Sequence, residues 1–206
     1  MIKEEKIQLR EKIWKTLESN KIARFPLPCY HRIPNYEGSD KAAEKVRDLE
    51  EYQNAKVIVS NPDYAQQKVR ELSLMDNKTL IMASPRLKHG YLEIEPNKVK
   101  GKEDFASTIK GAFRYGKRLE EVPKPDLIVT GCVAVDREGN RLGKGGGYGD
   151  KEITFFKSKF GDIPVVTTVH DTQIVDEVPT EKGDVKVDII VTPKTAIRTS
   201  LTSPPS

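Results

Sequence analysis

The chain has 206 residues, of which 36% are hydrophobic and 32% are charged. At roughly 150 residues per domain this length predicts one globular domain, placed at residues 1–198, and a disordered tail at 199–206, where TSLTSPPS lacks apolar periodicity. The net charge is +4, and both signs are mixed along the sequence. Nucleic-acid-binding proteins usually concentrate their positive charge, so nucleic acid is an unlikely partner on composition.

No apolar run approaches the ~20 residues needed to span a bilayer, and the first residues, MIKEEKIQLREK, are too charged for a secretory signal. Cys29 and Cys132 allow one disulfide, but two free thiols in a reducing compartment are favoured. His31 and His89 have no metal-ligand spacing with either cysteine, so no zinc site is predicted. We therefore expect a soluble, cytoplasmic protein without a membrane partner.

Apolar periodicity and turn residues predict the secondary structure in chain order. The first helix presents one apolar stripe, and a proline-rich loop at 24–38 precedes a second helix capped by Ser39 or Asp40. Helices are predicted at 2–20, from 39 or 40 to about 52, at 61–74, at about 103–117 and at about 151–160. Strands are predicted at 57–60, 79–84, 91–95, 127–135, 164–169 and 187–192.

This alternation of strands and helices predicts right-handed βαβ units. The run at 127–135 is almost continuously apolar, as expected for a strand covered on both faces. The fold class is therefore α/β, a three-layer Rossmann-like sandwich with a mostly parallel sheet.

The segment Val135–Glu152 is the richest in chemical information, because a glycine loop follows a buried strand and precedes a helix. Glycines let backbone N–H groups approach an anion, and the helix end adds a positive dipole. Arg141 and Lys144 are cations suited to phosphate oxygens. The glycines concerned are Gly143, Gly145, Gly146 and Gly147. The loop is thus predicted to bind phosphate.

The alternative is a glycine-rich hairpin turn with two solvated cations. The strand–loop–helix context argues against it, as does Asp150 at the end of the loop, because Mg²⁺ beside a polyphosphate requires such oxygen ligands. The loop matches neither the Walker motif nor the dinucleotide fingerprint.

Four further polar residues lie near predicted strand ends. Asp184 and Asp188 are spaced like a loop acid and a strand-entry acid, although taken alone they are ordinary turn residues. His170 and Asp171 follow the strand at 164–169, where they either line the same sheet edge or only cap a loop.

The segment Arg141–Asp150, RLGKGGGYGD, resembles the motif of the 5-formyltetrahydrofolate cyclo-ligase family, also called methenyltetrahydrofolate synthetases. Two further family motifs recur in the expected order. The first-helix motif K-x-x-L-R is matched by Lys6–Arg10, and the C-terminal D-x-x-V-D by Asp184–Asp188. The middle of the chain is similar to a divergent branch, the methenyltetrahydrofolate-synthetase-domain proteins.

The resemblance implies an ATP- and Mg²⁺-dependent cyclisation of 5-formyltetrahydrofolate, or a related reduced pterin, through a phosphorylated formyl group. It implies that Asp150 and Asp184 hold Mg²⁺, and that Arg141 and Lys144 act on the transferring phosphate. Tyr148 is assigned to both ATP and the pterin. The ATP-binding residues implied are Lys6, Arg10, Arg141, Gly143, Lys144, Gly145, Gly146, Gly147 and Tyr148. Without the resemblance, Lys6 and Arg10 would be read as solvated surface cations.

The sequence departs from the family motif at two places. Gly149 stands where the family has a second tyrosine, which opens or reshapes the wall beside the phosphate site, and Lys151-Glu152 replace an Asp-Arg pair. Glu37 is placed as a pterin contact, since a carboxylate accepts hydrogen bonds from pterin N–H groups, the alternative being a solvated loop residue. Two other functions remain open: an ATP-dependent enzyme acting on another small molecule, and a non-enzymatic nucleotide-sensing or RNA-associated module.

Overall fold

The computed structural model describes residues 1–199. The predicted tail lies outside the described residues except for Thr199, which is buried and whose backbone N donates to Asp188 O at 3.0 Å. The helices are α1 (Ile2–Ser19), α2 (Ser39–Arg47), α3 (Glu50–Asn54), α4 (Gln67–Met75), α5 (Glu103–Ala106), α6 (Ile109–Tyr115) and α7 (Tyr148–Phe160).

The strands are short, and most of them belong to one large sheet. They are β1 (Ala23–Arg24), β2 (Asn35–Tyr36), β3 (Val57–Ser60), β4 (Thr79–Ala83), β5 (Tyr91–Ile94), β6 (Lys117–Arg118), β7 (Leu127–Thr130), β8 (Ala134–Asp136), β9 (Arg141–Leu142), β10 (Val165–Thr168), β11 (Ile174–Val175), β12 (Ile189–Val191) and β13 (Ala196–Arg198).

The large sheet has the order β13-β12-β10-β7-β3-β4-β5-β6. Its central strands, from β12 to β4, pair in parallel, and the pairs at both edges are antiparallel. From β3 the chain runs to β4 on one side and then returns to β7 on the other. The strand order therefore reverses between β3 and β7, the point at which open α/β sheets bind ligands.

Helices cover both faces of this sheet, which confirms the predicted three-layer α/β class. On one face α7 packs Ile153 and Phe156 against Val59 and Ile128. On the other face α2, α3 and α4 form a second core with Ile58 and neighbouring strand residues. Alternate residues of β3 thus point into opposite cores, as a strand covered on both faces requires.

A smaller sheet carries the glycine loop and packs on α1. Its order is β11-β8-β9, and Trp14 and Leu17 of α1 lie in one core with Ala134 and Leu142. The predicted strand at 127–135 is therefore wrong as one element, since β7 ends at Thr130 and β8 begins another sheet. Gly131 allows the chain to pass from one sheet to the other here, because a Cβ at this position would lie 2.5 Å from a methyl carbon of Ile33.

Two predicted helices are each divided in two. The helix predicted from 39 or 40 to about 52 breaks at Leu49, whose extended backbone starts α3 while its side chain remains buried. Its cap is Gly38, with φ +86°, rather than Ser39 or Asp40. The helix predicted at 103–117 restarts at Thr108, whose hydroxyl accepts a hydrogen bond from Gly111 N.

Both cysteines are free, as predicted, and both are buried. Burial raises the pKa of Cys29 to about 12 and that of Cys132 to about 11, so both thiols stay protonated. Within residues 1–199, no helix is long and apolar enough to cross a membrane.

Candidate functional site

A cavity of about 1040 Å³ opens at the point where the strand order reverses. Asn61, directly after β3, and Gly131, directly after β7, lie on its floor. The glycine loop and α1 form one half, which we call the glycine-loop half. The segments after β3 and β4 form the other, the distal half.

The glycine loop runs from the end of β9 into α7. Its left-handed backbone at Gly145 (φ +115°) and Gly147 (φ +73°) is tolerated by glycine but by few other residues. Gly147 caps α7, which begins at Tyr148, three residues earlier than predicted. The loop backbone and the positive end of the α7 dipole therefore face the cavity, the arrangement that binds anions.

Arg141 lies beneath the first turn of α7 and is 5% exposed. Its Nη1 donates to Gly131 O at 2.9 Å, and Nη2 lies 3.2 Å from Asp150 Oδ1. Its Nε is buried without a partner among the described residues. The guanidinium is thus held at the cavity floor with one donor unused.

Lys6 and Arg10 lie one turn apart on α1, and both line the glycine-loop half. Lys6 is 7% exposed and its Nζ donates to Asp184 Oδ2 at 2.7 Å and to Glu181 Oε1 at 2.9 Å. Arg10 Nε donates to Gly143 O at 2.7 Å. The alternative of two solvated surface cations is therefore wrong for this pair.

The electrostatics of these two cations differ. Burial by itself would lower the pKa of Lys6, but its bonds to Asp184 and Glu181 outweigh this and raise the pKa. Burial lowers the pKa of Arg10, partly offset by the same two carboxylates. Both side chains remain cations at neutral pH, because lysine and arginine start from pKa values of about 10 and above 12.

Asp150 and Asp184 line the same cavity, and Asp150 Oδ1 accepts a hydrogen bond from the backbone N of Val185 at 3.1 Å. This bond places the Asp150 carboxylate against the backbone of the residue that follows Asp184. Among residues 1–199 no group of three or more acidic, histidine or cysteine side chains forms a complete metal site. Two carboxylates beside an anion loop nevertheless fit Mg²⁺, which usually takes one or two carboxylates and completes its shell with phosphate oxygens and water.

The charges of the glycine-loop half are paired with one another. Lys6 is paired with Asp184, and Arg141 with Asp150, so two of the four predicted phosphate-binding cations are each matched with a predicted metal-binding carboxylate. Binding of phosphate and metal would exchange these partners rather than bury new unpaired charge.

Glu152 lies on the cavity wall one turn below Tyr148, and sequence analysis noted it only as a departure from the family motif. It is 7% exposed, and its Oε1 has no partner among the described residues. Burial raises its pKa to about 8, although the positive charge of Arg141 acts to lower it. The carboxyl group is therefore mostly protonated at neutral pH.

The distal half was not identified from sequence. Arg70, 1% exposed, donates to the carbonyls of Asn61, Asp63 and Ser107 at 2.8, 2.8 and 2.9 Å and so fixes the loop after β3. Tyr64, although 43% exposed, lines the cavity beside this loop. The sequence signal that could have identified the distal half is the Asn-Pro-Asp turn directly after a buried strand, because such turns lie at the ligand-binding edge of an α/β sheet.

Three cations at the rim of the distal half make no ion pair with any residue from 1 to 199. They are Arg86, Lys88 and Lys110. These cations give the distal half a positive rim, and Ile109 and Tyr64 give it an apolar wall.

Several predicted residues lie elsewhere. Glu37 is absent from the cavity wall and lies 3.3 Å from Arg24 Nη2 on an exposed surface. His170 Nδ1 accepts a hydrogen bond from Thr172 N, so the loop-capping alternative is correct for the His170–Asp171 pair. Asp188 accepts a hydrogen bond from Val165 N at 2.8 Å, at the opposite end of the parallel strands.

Tyr148 and Lys144 do line the cavity, and both side chains are exposed.

Fold and site together define a three-layer α/β protein with a glycine loop and a helix N-terminus facing the cavity at its topological switch point. Residues 2–193 match the 5-formyltetrahydrofolate cyclo-ligase family, and the chain belongs to that family. It is 39% identical over 210 residues to a methenyltetrahydrofolate synthase domain-containing protein of Bos taurus, covering 97% of this chain and 55% of that protein. The chain thus spans about half the length of this relative.

The comparisons confirm the resemblance drawn from the motifs. A 5-formyltetrahydrofolate cyclo-ligase of Mycolicibacterium smegmatis is 35% identical over 78 residues, which cover 38% of this chain and 39% of that protein. The 5,10-methenyltetrahydrofolate synthetase of Aquifex aeolicus has the same fold, with a TM-score of 0.62 and 22% identity, covering 98% of this chain and 95% of that structure.

Proposed function

We propose that this chain is an ATP- and Mg²⁺-dependent enzyme that cyclises 5-formyltetrahydrofolate to 5,10-methenyltetrahydrofolate. The observation that carries the proposal is the glycine-loop half, where Lys6, Arg10 and Arg141 line one cavity with the carboxylates of Asp150 and Asp184 at the start of a helix. Family membership supplies the substrate, and two buried free thiols are consistent with a reducing, cytoplasmic compartment.

In the proposed reaction the formyl oxygen attacks the γ-phosphorus of ATP, and the bond to the β,γ-bridging oxygen breaks to release ADP. N10 then attacks the activated formyl carbon. Loss of the N10 proton and departure of phosphate leave the methenyl product. The protein performs little covalent chemistry here, so positioning and charge stabilisation supply most of the rate.

Each group of residues has a defined part in this scheme. Lys6, Arg10 and the loop amides hold the polyphosphate, and Arg141 and Lys144 face the phosphate that is transferred. Asp150 and Asp184 would hold Mg²⁺, which neutralises the charge that develops on the phosphate oxygens.

The distal half supports the folate part of the proposal. Its apolar wall suits the flat rings of a reduced folate, and its unpaired rim cations suit the carboxylates of the glutamate tail. Glu37 is not used, because it lies outside this cavity.

The proposal is tested by mixing the protein with MgATP and 5-formyltetrahydrofolate and following the absorbance of the methenyl product. We expect ATP-dependent product formation, lost in Asp150→Asn with an unchanged circular dichroism spectrum. Asp162→Asn is the matched control, since that carboxylate is 99% exposed and remote from the cavity lining. Full activity of Asp150→Asn would show that the metal site is misassigned.

If ATP binds and no methenyl product forms, the folate assignment fails, and another small-molecule acceptor becomes the better function. If nucleotide does not bind and salt-sensitive RNA binding is found instead, the enzyme proposal fails altogether.

A further inference from the structure

Gly149 lies in the first turn of α7, and the space its side chain would need is filled by Arg141. A Cβ at this position would lie 2.3 Å from Nη2, 2.9 Å from Cζ and 3.0 Å from Nη1 of that guanidinium. The first two distances are shorter than the contacts that real Cβ atoms make, so the guanidinium, at the end of a flexible side chain, would have to shift.

The backbone does not require glycine here. Gly149 is inside a regular helix and is not among the residues with positive φ. Glycine is the least favourable helix residue after proline, so local structure by itself would select against it. Glycine is therefore required at this position by the nearby guanidinium of Arg141 and not by the backbone conformation.

The guanidinium is confined on its other sides as well. Nη1 is bonded to Gly131 O at the end of β7, and Nη2 faces Asp150. A side chain at 149 would therefore displace the guanidinium, which is 5% exposed, from these two partners.

We propose that Gly149 is a positioning residue for Arg141: by lacking a side chain, it lets the guanidinium lie beneath α7, between Asp150 and the end of β7. The family motif has a tyrosine at this position, so the contact between Gly149 and Arg141 is a feature of this chain's own sequence. The part of Arg141 in nucleotide binding rests on the proposed function, but its placement by Gly149 does not.

A double-mutant cycle tests this placement. The four proteins are wild type, Gly149→Ala, Arg141→Ala and the double variant, and thermal unfolding is measured without ligand. With Arg141 present, we expect Gly149→Ala to lower the Tm by about 3–6 °C, as overpacking of a buried site does. In the Arg141→Ala background, the same change is expected to raise the Tm, because alanine is the better helix residue.

Thr154→Ala is the matched control. Thr154 is exposed on the same helix, so this substitution changes helix propensity without approaching the guanidinium. It is expected to have the same effect in both backgrounds. An equal Tm shift for Gly149→Ala in both backgrounds would overturn the proposal, since a disturbed helix start alone does not depend on Arg141.

Titration with MgATP gives the second readout. Gly149→Ala is expected to raise the Kd about tenfold or more in wild type and to leave it unchanged in Arg141→Ala. An equal loss of MgATP affinity in both backgrounds would contradict the positioning role of Gly149. If the protein forms no methenyl product but the Tm cycle shows the coupling, the proposed folate reaction fails and the positioning of Arg141 stands.

Discussion

Replacement of Lys6 by methionine tests the glycine-loop half most directly, because it removes the cation and keeps most of the side-chain volume. Lys6 is bonded to Asp184 at 2.7 Å and to Glu181 at 2.9 Å, and the variant leaves these two carboxylates facing each other. Nucleotide binding and stability should therefore both change.

The magnitude follows from the burial of the three groups. Removing one partner of a fully buried ion pair costs about 3–5 kcal/mol, and an exposed pair contributes about 0.2–1 kcal/mol. The side chain of Lys6 is 9% exposed, but those of Asp184 and Glu181 are 18% and 44% exposed, so water solvates them after the change. We expect a loss of about 1–2 kcal/mol, which lowers the Tm by about 2–8 °C in a chain of this size.

The loss of one charged hydrogen bond to phosphate, about 1.5–3 kcal/mol, raises the Kd for MgATP about 10- to 100-fold. Mg²⁺ alone should stabilise Lys6→Met more than wild type, because it neutralises the carboxylates that the lysine no longer pairs. Calorimetric titration and thermal unfolding measure both effects, with the exposed Lys12→Met on the same helix as the control. Unchanged MgATP affinity in Lys6→Met would refute the assignment of α1 to the phosphate site.

The pH dependence of this contribution has a definite sign. Bonds to Asp184 and Glu181 raise the pKa of Lys6 above its ordinary value, although burial acts in the opposite direction. Its stabilising effect is therefore complete below the unfolded pKa of about 10.4 and is lost as the pH rises through the folded pKa. The Tm difference between wild type and Lys6→Met should stay constant from pH 6 to 9 and shrink only in strongly alkaline solution.

Three further predictions concern other contacts. Arg141→Ala should weaken MgATP binding more than folate binding in parallel titrations, and equal weakening of both would mean that the glycine loop is misassigned. Mg²⁺ and ATP should each strengthen binding of the other, measured by titrating each with and without its partner, because the cations and carboxylates they use are paired together. Asp76→Asn should lower the Tm at pH 7 but not near pH 2. Burial alone would raise the pKa of Asp76, but the hydrogen bonds from Arg47 and Tyr52 outweigh it and lower the pKa. The stabilising contribution of Asp76 is therefore lost as the pH falls through its folded pKa.

The fold class and the glycine loop were predictable because their signals are local, whereas Lys6 and Arg10 of α1 were assigned only through the family resemblance. The β-branched run at 57–60 identifies a strand by itself, and the glycines at 143–147 with Arg141 and Asp150 are contiguous in sequence. The start of α7 could be predicted only to within about three residues, since Gly147 caps it through its backbone and no side-chain signal marks the position.

The distal half and the strand at 127–135 could not be predicted, because both depend on contacts between distant segments. The apolar run continues through 131–133, but the chain leaves the sheet there to pack beside Ile33 and Gln66. Glu37 was predicted as a pterin contact from its place before a helix, yet the β1–β2 pair and Arg24 hold it on another surface. Apart from the Asn-Pro-Asp turn after β3, no local sequence signal indicates these placements.

The space beside Gly149 shows why the effect of one departure from a family motif depends on the surrounding structure. Loss of a tyrosine ring was expected to open or reshape the wall, and the atoms nearest to a Cβ at this position belong to Arg141, which is hydrogen-bonded to Gly131 and paired with Asp150. A missing side chain creates a cavity only where its neighbours cannot collapse into it, and a long flexible arginine can. The glycine and the arginine are therefore one structural feature, and only replacing them singly and together measures the coupling between them.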